Sequence, residues 1–291
     1  MKTIRLKYPQ WQGGMNSNYV FGAELLSAIA PISPNSRQIE VAVNGDYTTE
    51  QNRVDGVDCG DILLEQNKQV YDILEKGQPD RLIVFGGDCA VTQVPFDYLN
   101  GKYGDEIGII WLDAHPDISG TSESSHLHEM VAANLLGQNP GSPITSVKYP
   151  YKHSNFIYAG LIEEKLRPMD MRCKDLSLPI VSPERLKVSS AGVTDWIKAN
   201  GIKYLAVHWD LDVLDPADFR SIYPAEPYLN SENFPAAVGR MTLNDVTRIL
   251  KDSSAIAPIV GLSITEHLPW DAFRLREALS QISIFKDESL F

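Results

Sequence analysis

The sequence predicts an α/β fold in which a mostly parallel central sheet carries helices on both faces. Short runs of β-branched and other apolar residues recur along the chain, and patterns with helical spacing separate several of them. The length of 291 residues and the hydrophobic fraction of 43% allow a large core in a single α/β domain. We therefore predict one domain that spans residues 1–291.

Six runs have the composition of buried parallel strands. They cover residues 39–43, 82–85, 107–112, 156–158, 205–207 and 259–264. Apolar residues with helical spacing lie at 62–74, before the second run, and at 191–199, before the fifth run. This β–α alternation predicts parallel strands joined by helices.

Composition and charge exclude several classes of protein. A formal net charge of -12 argues against binding nucleic acid, because such proteins need a basic face. The chain has three cysteines, which are too few for a disulfide framework and favour a reducing cytoplasm. Neither a signal sequence nor an apolar stretch of about 18 residues occurs, so we expect a cytoplasmic protein without a membrane partner.

Polar residues follow four of the predicted strands directly. They lie at 86–89 (GGDC), 113–117 (DAHPD), 208–212 (HWDLD) and 265–266 (TE). In parallel sheets, ligands bind beyond the carboxyl ends of the strands. The sequence therefore predicts that these four clusters meet at one edge of the sheet.

The acidic residues in these clusters predict a metal site. Asp113, His115 and Asp117 are spaced two apart, so an extended chain would project them to one side, and Asp210 and Asp212 repeat the spacing. Four carboxylates in one place repel one another unless a cation compensates them. Carboxylates with an imidazole suit Mn²⁺, and carboxylates that can bridge favour two ions. Helix capping, the ordinary role of an aspartate after a strand, does not account for both patterns.

Most of the histidines support this prediction. Of six in the chain, five lie in or beside the polar clusters: His115, His126, His128, His208 and His267. Only His153 lies elsewhere in the sequence.

Five motifs, in order, resemble those of the ureohydrolase family, which includes arginase, agmatinase and formimidoylglutamase. Residues 86–89 (GGDC) resemble its GGDH, 111–117 (WLDAHPD) its WxDAHxD, 126–128 (HLH) its loop ending in a catalytic histidine, 210–216 (DLDVLDP) its DxDxxDP, and 266–269 (EHLP) its ExxP. The resemblance covers most of the chain. It implies a three-layer arginase-like fold and hydrolysis of a linear carbon–nitrogen bond in a guanidino or amidino group.

The resemblance also implies roles for individual residues. Asp113, His115, Asp117, Asp210 and Asp212 match metal ligands, with Asp113 and Asp210 at bridging positions and a metal-bridging hydroxide as the nucleophile. His128 matches a histidine that shuttles a proton, and Glu266 matches the carboxylate that holds the planar cation. The implied partners are a small cationic guanidino or formimino substrate and further copies of the chain in a homo-oligomer.

Two residues depart from the family pattern beside the metal positions. Cys89 stands where the family has a metal-binding histidine. If its thiolate ligates, the preference moves from Mn²⁺ towards Zn²⁺, Co²⁺, Fe²⁺ or Ni²⁺; if it does not, one of the two divalent ions is weakly held or absent. His208 stands where the family has a small hydroxyl residue, and it either compensates for the missing histidine or packs one layer below the metals.

These departures leave a second hypothesis open. The alternative is a catalytically impaired homologue with partial metal occupancy that acts as a binding or structural protein. Retention of five of the six ligands, together with His128 and Glu266, favours the enzyme.

Departures near the expected substrate positions argue against L-arginine. Ile162 replaces the arginine of a Gly-Leu-Arg motif, and Lys165 falls at an acidic position that Glu163 or Glu164 would fill after a small shift. Glu129 replaces the glycine that follows the catalytic histidine. This carboxylate either favours a second cationic group, as in agmatine, or is a solvated loop charge.

Overall fold

An eight-stranded sheet lies at the centre of the described part of the chain, residues 1–32, 35–45, 52–229, 234–282 and 284 of the computed structural model. The described residues form ten strands, eight of them in this sheet: β1 (Thr3–Tyr8), β2 (Ser36–Glu40), β3 (Arg53–Val54), β4 (Val57–Asp58), β5 (Arg81–Gly86), β6 (Ile107–Leu112), β7 (Phe156–Ala159), β8 (Ile180–Val181), β9 (Tyr204–Asp210) and β10 (Ile259–Thr265). The sheet order is β2-β1-β5-β10-β9-β6-β7-β8, and every pairing in it is parallel. Strands β3 and β4 form a separate antiparallel pair.

Helices connect most of these strands. They are α1 (Asn18–Ile29), α2 (Gly60–Gly77), α3 (Gln93–Tyr103), α4 (Val131–Leu135), α5 (Arg172–Asp175), α6 (Pro183–Val188), α7 (Ala191–Ala199), α8 (Leu243–Ser254) and α9 (Trp270–Ser280). Short 3₁₀ helices include Cys89–Thr92, Leu127–Met130 and Leu211–Val213. None of the described helices is long and apolar enough to cross a membrane.

Both faces of the sheet are covered. Along β6, Ile109 and Trp111 join a core that includes residues of α2, α3 and α4, whereas Ile110 and Leu112 join a core that includes residues of α6, α7 and α8. Successive strand residues point to opposite faces, so a strand covered on both sides is apolar throughout. The result is the three-layer arrangement that the sequence predicts.

Most predicted strands and helices are confirmed. The run 107–112 matches β6, and the pattern at 191–199 matches α7. The run 39–43 is partly wrong, because β2 ends at Glu40. Its pairing with β1 stops there: the Val41 amide still donates to the Lys7 carbonyl at 2.9 Å, but the chain then leaves the sheet. Strands β1 and β8 were not among the predicted runs.

Four adjacent strands position the candidate site. In the sheet, β5, β10, β9 and β6 are consecutive, so the polar clusters that follow them lie side by side. The loop after β5 passes close to the loop after β1, and a Cβ at Gly87 would lie 1.6 Å from the Gln10 carbonyl oxygen. Only glycine fits there, which explains the glycine at position 87, two residues before Cys89.

Candidate metal centre

A cavity of about 530 Å³ opens at the carboxyl ends of these four strands. Its lining includes Cys89, His115, Asp117, His128, Asp210, Asp212 and Glu266. Asp113, the first residue after β6, is 1% exposed and shares groups of potential metal ligands with these residues. The structure therefore brings together every residue that the sequence predicts for the site.

One group of donors surrounds His115. Its Nδ1 lies 3.0 Å from Asp212 Oδ2 and 3.5 Å from Asp113 Oδ1. Asp113 is oriented by two hydrogen bonds, from the His115 amide to Oδ1 at 2.7 Å and from Trp111 Nε1 to Oδ2 at 3.0 Å. These three side chains form one of the groups that could hold a metal ion.

Further donors surround Cys89, which begins the 3₁₀ helix after β5. Its Sγ lies 2.8 Å from Asp210 Oδ2 and 3.8 Å from Glu266 Oε1. Cys89 belongs to two groups with metal-ligand spacing, one with Asp210 and Glu266 and the other with Asp113, Asp117 and His208. The thiol is thus inside the candidate centre.

Tight turns, and not an extended chain, bring the carboxylates together. Asp212 lies in the 3₁₀ helix Leu211–Val213, and its amide donates to Asp210 Oδ1 at 2.7 Å. Asp117 has a φ of 44°, in the left-handed region. The expectation that residues two apart project from an extended strand was therefore wrong. Left-handed backbone at non-glycine residues is costly and concentrates at functional sites.

Burial and mutual repulsion shift the acidic groups. Burial, with the nearby Asp212 charge, raises the pKa of Asp113 to about 6. Burial also raises the pKa of Glu266 to about 7 and the pKa values of Asp117 and Asp210. Burial opposes ionisation of Asp212 as well, but His115 lowers its pKa overall. Such a cluster needs added positive charge to ionise together.

Unsatisfied buried atoms also point to cations. Asp117 Oδ2 and Asp212 Oδ1 are buried without a hydrogen-bond partner among the described residues. Buried polar atoms normally have partners, because stranding them costs free energy. The surplus of negative charge and the oxygen-rich donor set therefore fit divalent metal ions.

The two predicted catalytic residues face the same cavity. His128 Nδ1 lies 2.8 Å from the carbonyl oxygen of Gly13. A carbonyl only accepts, so Nδ1 carries the hydrogen in this contact and Nε2 is the free basic nitrogen of the neutral ring. Glu266 has a φ of 61°, and its amide donates to the Gly87 carbonyl at 2.8 Å. The strand-end turn thus fixes the main chain from which the Glu266 side chain enters the cavity lining.

Arg167, which belongs to none of the sequence motifs, lies at the cavity wall. Its Nη1 is 2.8 Å from Glu129 Oε1, and its Nε is 2.9 Å from Asp170 Oδ2. Burial opposes ionisation of Glu129, but His128, Ser124 and Arg167 together lower its pKa. Glu129 is therefore an ion-paired residue of the cavity wall and not a solvated loop charge. Arg167 and Glu129 lie 38 positions apart, and no motif in the sequence links them.

Other polar residues flagged in the sequence lie outside the centre. Glu164 pairs with Arg240, Glu163 lies 3.5 Å from Lys174, and Lys165 lines a separate depression. His126 lines the main cavity, whereas His267 Nδ1 lies 3.0 Å from the Gly22 carbonyl oxygen. Among the described lining residues, further polar groups join Arg167 that sequence patterns did not identify: Asn16, Asn18, Tyr19, Tyr223 and Glu226.

Sheet order and donor set define the class: an α/β protein with a candidate two-metal centre. A family model described as the arginase family matches residues 24–227. The chain therefore belongs to the arginase (ureohydrolase) family, and it is an arginase-family hydrolase. Its sequence is 23% identical to an arginase of Staphylococcus aureus (strain MRSA252) over 208 residues, which are 65% of this chain and 68% of that protein.

Solved structures share the fold. An arginase of Entamoeba histolytica, in complex with L-ornithine, superposes with a TM-score of 0.76 at 17% identity, over 92% of this chain and 91% of that one. A hypothetical agmatinase of Burkholderia thailandensis superposes with a TM-score of 0.62 at 13% identity, over 92% and 78%. These superpositions show that the three-layer fold is shared, and at such low identity they show the fold alone.

Proposed function

We propose that this protein hydrolyses a linear carbon–nitrogen bond in a small guanidino or amidino substrate, using two divalent metal ions, with Mn²⁺ the first candidate. One observation carries the proposal. A single cavity is lined by five of the six predicted ligands together with His128 and Glu266, and the sixth, Asp113, belongs to ligand groups with four of those five. Cytoplasmic localisation and assembly into a homo-oligomer stay predictions.

The metal ligands in this proposal are Cys89, Asp113, His115, Asp117, Asp210 and Asp212. Asp113 belongs to two of the groups with metal-ligand spacing, which suits a bridging carboxylate. Two bound cations would supply the positive charge that brings the pKa of water towards neutrality. That help is needed because a guanidinium group is resonance-stabilised and a poor electrophile.

Glu266 is proposed to bind the planar cation. Glu266 is 8% exposed and lines the cavity beside Asp210 and Cys89. A carboxylate can accept two parallel N–H donors from a guanidino group, and pairing in a water-poor site makes such bonds strong. The cation would in turn favour the ionised form of Glu266, whose pKa burial raises to about 7.

His128 is proposed to transfer a proton to the departing amine. An amide anion is a very poor leaving group, so the nitrogen must be protonated as the bond breaks. The Gly13 carbonyl holds Nδ1–H, which leaves Nε2 to carry the transferred proton. Positioned groups of this kind contribute about 10²- to 10⁴-fold in rate.

The family and the cavity wall support the proposed substrate class. The structure of the arginase from Entamoeba histolytica is a complex with L-ornithine. In this chain the wall carries Arg167 paired with Glu129, together with Glu226. We propose that these groups select the far end of the substrate.

A metal-loading and product screen tests the proposal. The purified protein would be analysed for metal, loaded separately with Mn²⁺, Co²⁺, Zn²⁺, Ni²⁺ or Fe²⁺, and assayed on arginine, agmatine, guanidinobutyrate and formiminoglutamate. We expect release of urea, or of formamide from the last compound, with at least one combination. No turnover with any combination, and at most one sub-stoichiometric ion, would support the impaired homologue instead.

A matched pair of variants separates the site from general stability. Asp113→Asn should abolish metal binding and turnover together. Asp97→Asn is the control, because Asp97 is equally buried but accepts hydrogen bonds from Tyr71 and from the amides of Lys148 and Tyr149, away from the cavity. Full activity in folded Asp113→Asn would overturn the assignment.

A further inference from the structure

His208 has an unusual environment for a core histidine. It lies on β9, two residues before Asp210, and is 0% exposed. Its ring stacks on Trp111, with the centroids 3.7 Å apart and the planes at 19°. Packing therefore holds the imidazole in one orientation.

One ring nitrogen of His208 has a partner and the other does not. Nδ1 lies 2.8 Å from Thr92 Oγ1, which in turn lies 2.8 Å from Ser263 Oγ. Nε2 is buried without a hydrogen-bond partner among the described residues. A buried unpaired nitrogen costs free energy unless something else occupies its lone pair.

The unpaired nitrogen faces potential metal ligands. His208 Nε2 lies 3.9 Å from Asp113 Oδ2. Donor atoms of Cys89, Asp113, Asp117 and His208 all lie within 4.8 Å of one another. A tetrahedral ion with bonds of about 2.0 to 2.3 Å holds its donors about 3.3 to 3.8 Å apart, so the four need to close by about 1 Å.

We propose that His208 Nε2 coordinates the same metal ion as Cys89 Sγ, so that one of the two ions is bound by a thiolate, an imidazole and the carboxylates of Asp113 and Asp117. This ligand assignment rests on the proposed two-metal function for the remaining ligands. His208 thereby becomes a ligand in addition to the six positions already assigned.

The surroundings of the ring suit this role. A metal-bound histidine normally donates its second N–H to an oxygen, and Thr92 Oγ1 is that acceptor if its own hydrogen goes to Ser263. Thr92 closes the same 3₁₀ helix that Cys89 begins, so one turn carries a ligand and the support of another. Trp111 stacks on His208 and also donates to Asp113 Oδ2, which fixes two of the four donors.

The two metal positions would then differ in chemistry. The position with Cys89 and His208 has sulfur and nitrogen donors, which favour Zn²⁺ or Co²⁺ over Mn²⁺. The group of Asp113, His115 and Asp212 has mainly oxygen donors, which suit Mn²⁺. The chain should therefore bind one equivalent of Zn²⁺ or Co²⁺ more tightly than the second.

Metal binding, measured without substrate, tests the assignment. With one equivalent of Zn²⁺, X-ray absorption of the wild-type protein should show one sulfur neighbour at about 2.3 Å and a nitrogen neighbour at about 2.0 to 2.1 Å with imidazole scattering. With one equivalent of Co²⁺, a thiolate-to-metal charge-transfer band should appear in the near ultraviolet and vanish in Cys89→Ser. A wild-type first shell without imidazole would overturn the inference.

Two variants test whether His208 is a ligand. His208→Asn should weaken binding of the first Zn²⁺ at least tenfold and change the Co²⁺ spectrum. Thr92→Val keeps the imidazole but removes its partner, and should weaken binding about 10- to 100-fold, which decides the question if His208→Asn fails to fold. His267→Asn is the control, since this buried imidazole lies outside the ligand groups.

The outcomes separate this inference from the proposed function. Folded His208→Asn and Thr92→Val proteins with wild-type Zn²⁺ affinity and Co²⁺ spectra would overturn the role of His208 alone. A wild-type protein that binds two ions, one of them through His208, yet hydrolyses none of the guanidino or formimino compounds, would overturn the proposed function alone.

Discussion

His128 Nδ1 lies 2.8 Å from the main-chain oxygen of Gly13, a residue 115 positions earlier in the chain. This contact ties the loop that follows β1 to the 3₁₀ helix Leu127–Met130, which carries the proposed proton donor. Because the Gly13 oxygen can only accept, it selects the tautomer whose Nε2 is free to exchange a proton in the cavity. The position of the histidine, and not only its presence, is therefore specified by the fold.

Replacing His128 tests the proton transfer. In His128→Asn we expect kcat to fall about 10²- to 10⁴-fold with little change in KM and in bound metal, because the amine would leave without its proton donor. Steady-state kinetics with metal analysis measures this, and added imidazole should restore part of the rate. His153→Asn is the control, because His153 contacts Gln138 away from the cavity. An unchanged kcat would rule out His128 as the donor.

Glu266→Gln tests the cation-binding carboxylate. Removing the charge while keeping the side-chain size should cost about 2 to 4 kcal/mol of binding, or roughly 30- to 1000-fold in kcat/KM, with the metal content unchanged. Glu226→Gln removes the same charge from another part of the cavity wall and should have a smaller effect. Loss of a metal ion in Glu266→Gln would instead make Glu266 a ligand in its group with Cys89 and Asp210.

The Glu129–Arg167 ion pair predicts a pH-dependent contribution to stability. Burial alone would raise the pKa of Glu129. His128, Arg167 and the Ser124 hydroxyl outweigh burial, so the pKa of Glu129 lies below its usual value. A carboxylate with a lowered folded-state pKa stabilises the fold above its unfolded pKa, near 4, and loses this contribution as the pH falls through the folded pKa. Glu129→Gln should therefore cost about 1 to 3 kcal/mol at pH 7.

Urea unfolding from about pH 7 down to about pH 3 measures this difference. The gap between the wild type and Glu129→Gln should shrink towards the acidic end. Glu277→Gln, on the exposed face of α9, should differ little from the wild type at any pH. A gap that does not change with pH would show that the charge of Glu129 contributes nothing.

Arg167→Ala tests selection at the far end of the substrate. The variant leaves Glu129 and Asp170 without their cation and makes the cavity wall more negative. We expect kcat/KM to shift severalfold in favour of agmatine, whose far end is an ammonium, relative to guanidinobutyrate, whose far end is a carboxylate. Arg172→Ala is matched in exposure, pairs with Glu123 and lies outside the main cavity. Equal shifts in both variants would argue against a specific role for Arg167.

Much of the fold was predictable because buried parallel strands are apolar throughout. The run that forms β6 is covered on both faces, so its boundaries coincide with the apolar segment. Strand β1 has charged residues at Arg5 and Lys7 between its apolar ones, which hides it among surface patterns. Its place in the sheet comes from pairing with β5, a contact about 80 residues away.

The site was predictable where its residues follow strands directly. Asp113, Asp210 and Glu266 come at or just beyond the ends of adjacent strands, where parallel sheets place their ligands. The local argument for Asp117 and Asp212 relied on an extended chain, but tight turns place them. Arg167 was missed because its partner Glu129 lies on a different segment.

The sequence by itself determined that acidic, histidine and cysteine side chains would gather at one edge of a parallel sheet, because strand alternation and motif order are local properties. Only the tertiary structure decided what each side chain faces. Cys89 lies against Asp210, Gly13 selects the tautomer of His128, and His208 directs an unpaired nitrogen towards Asp113. These contacts join residues far apart in the chain, so they depend on how the loops pack.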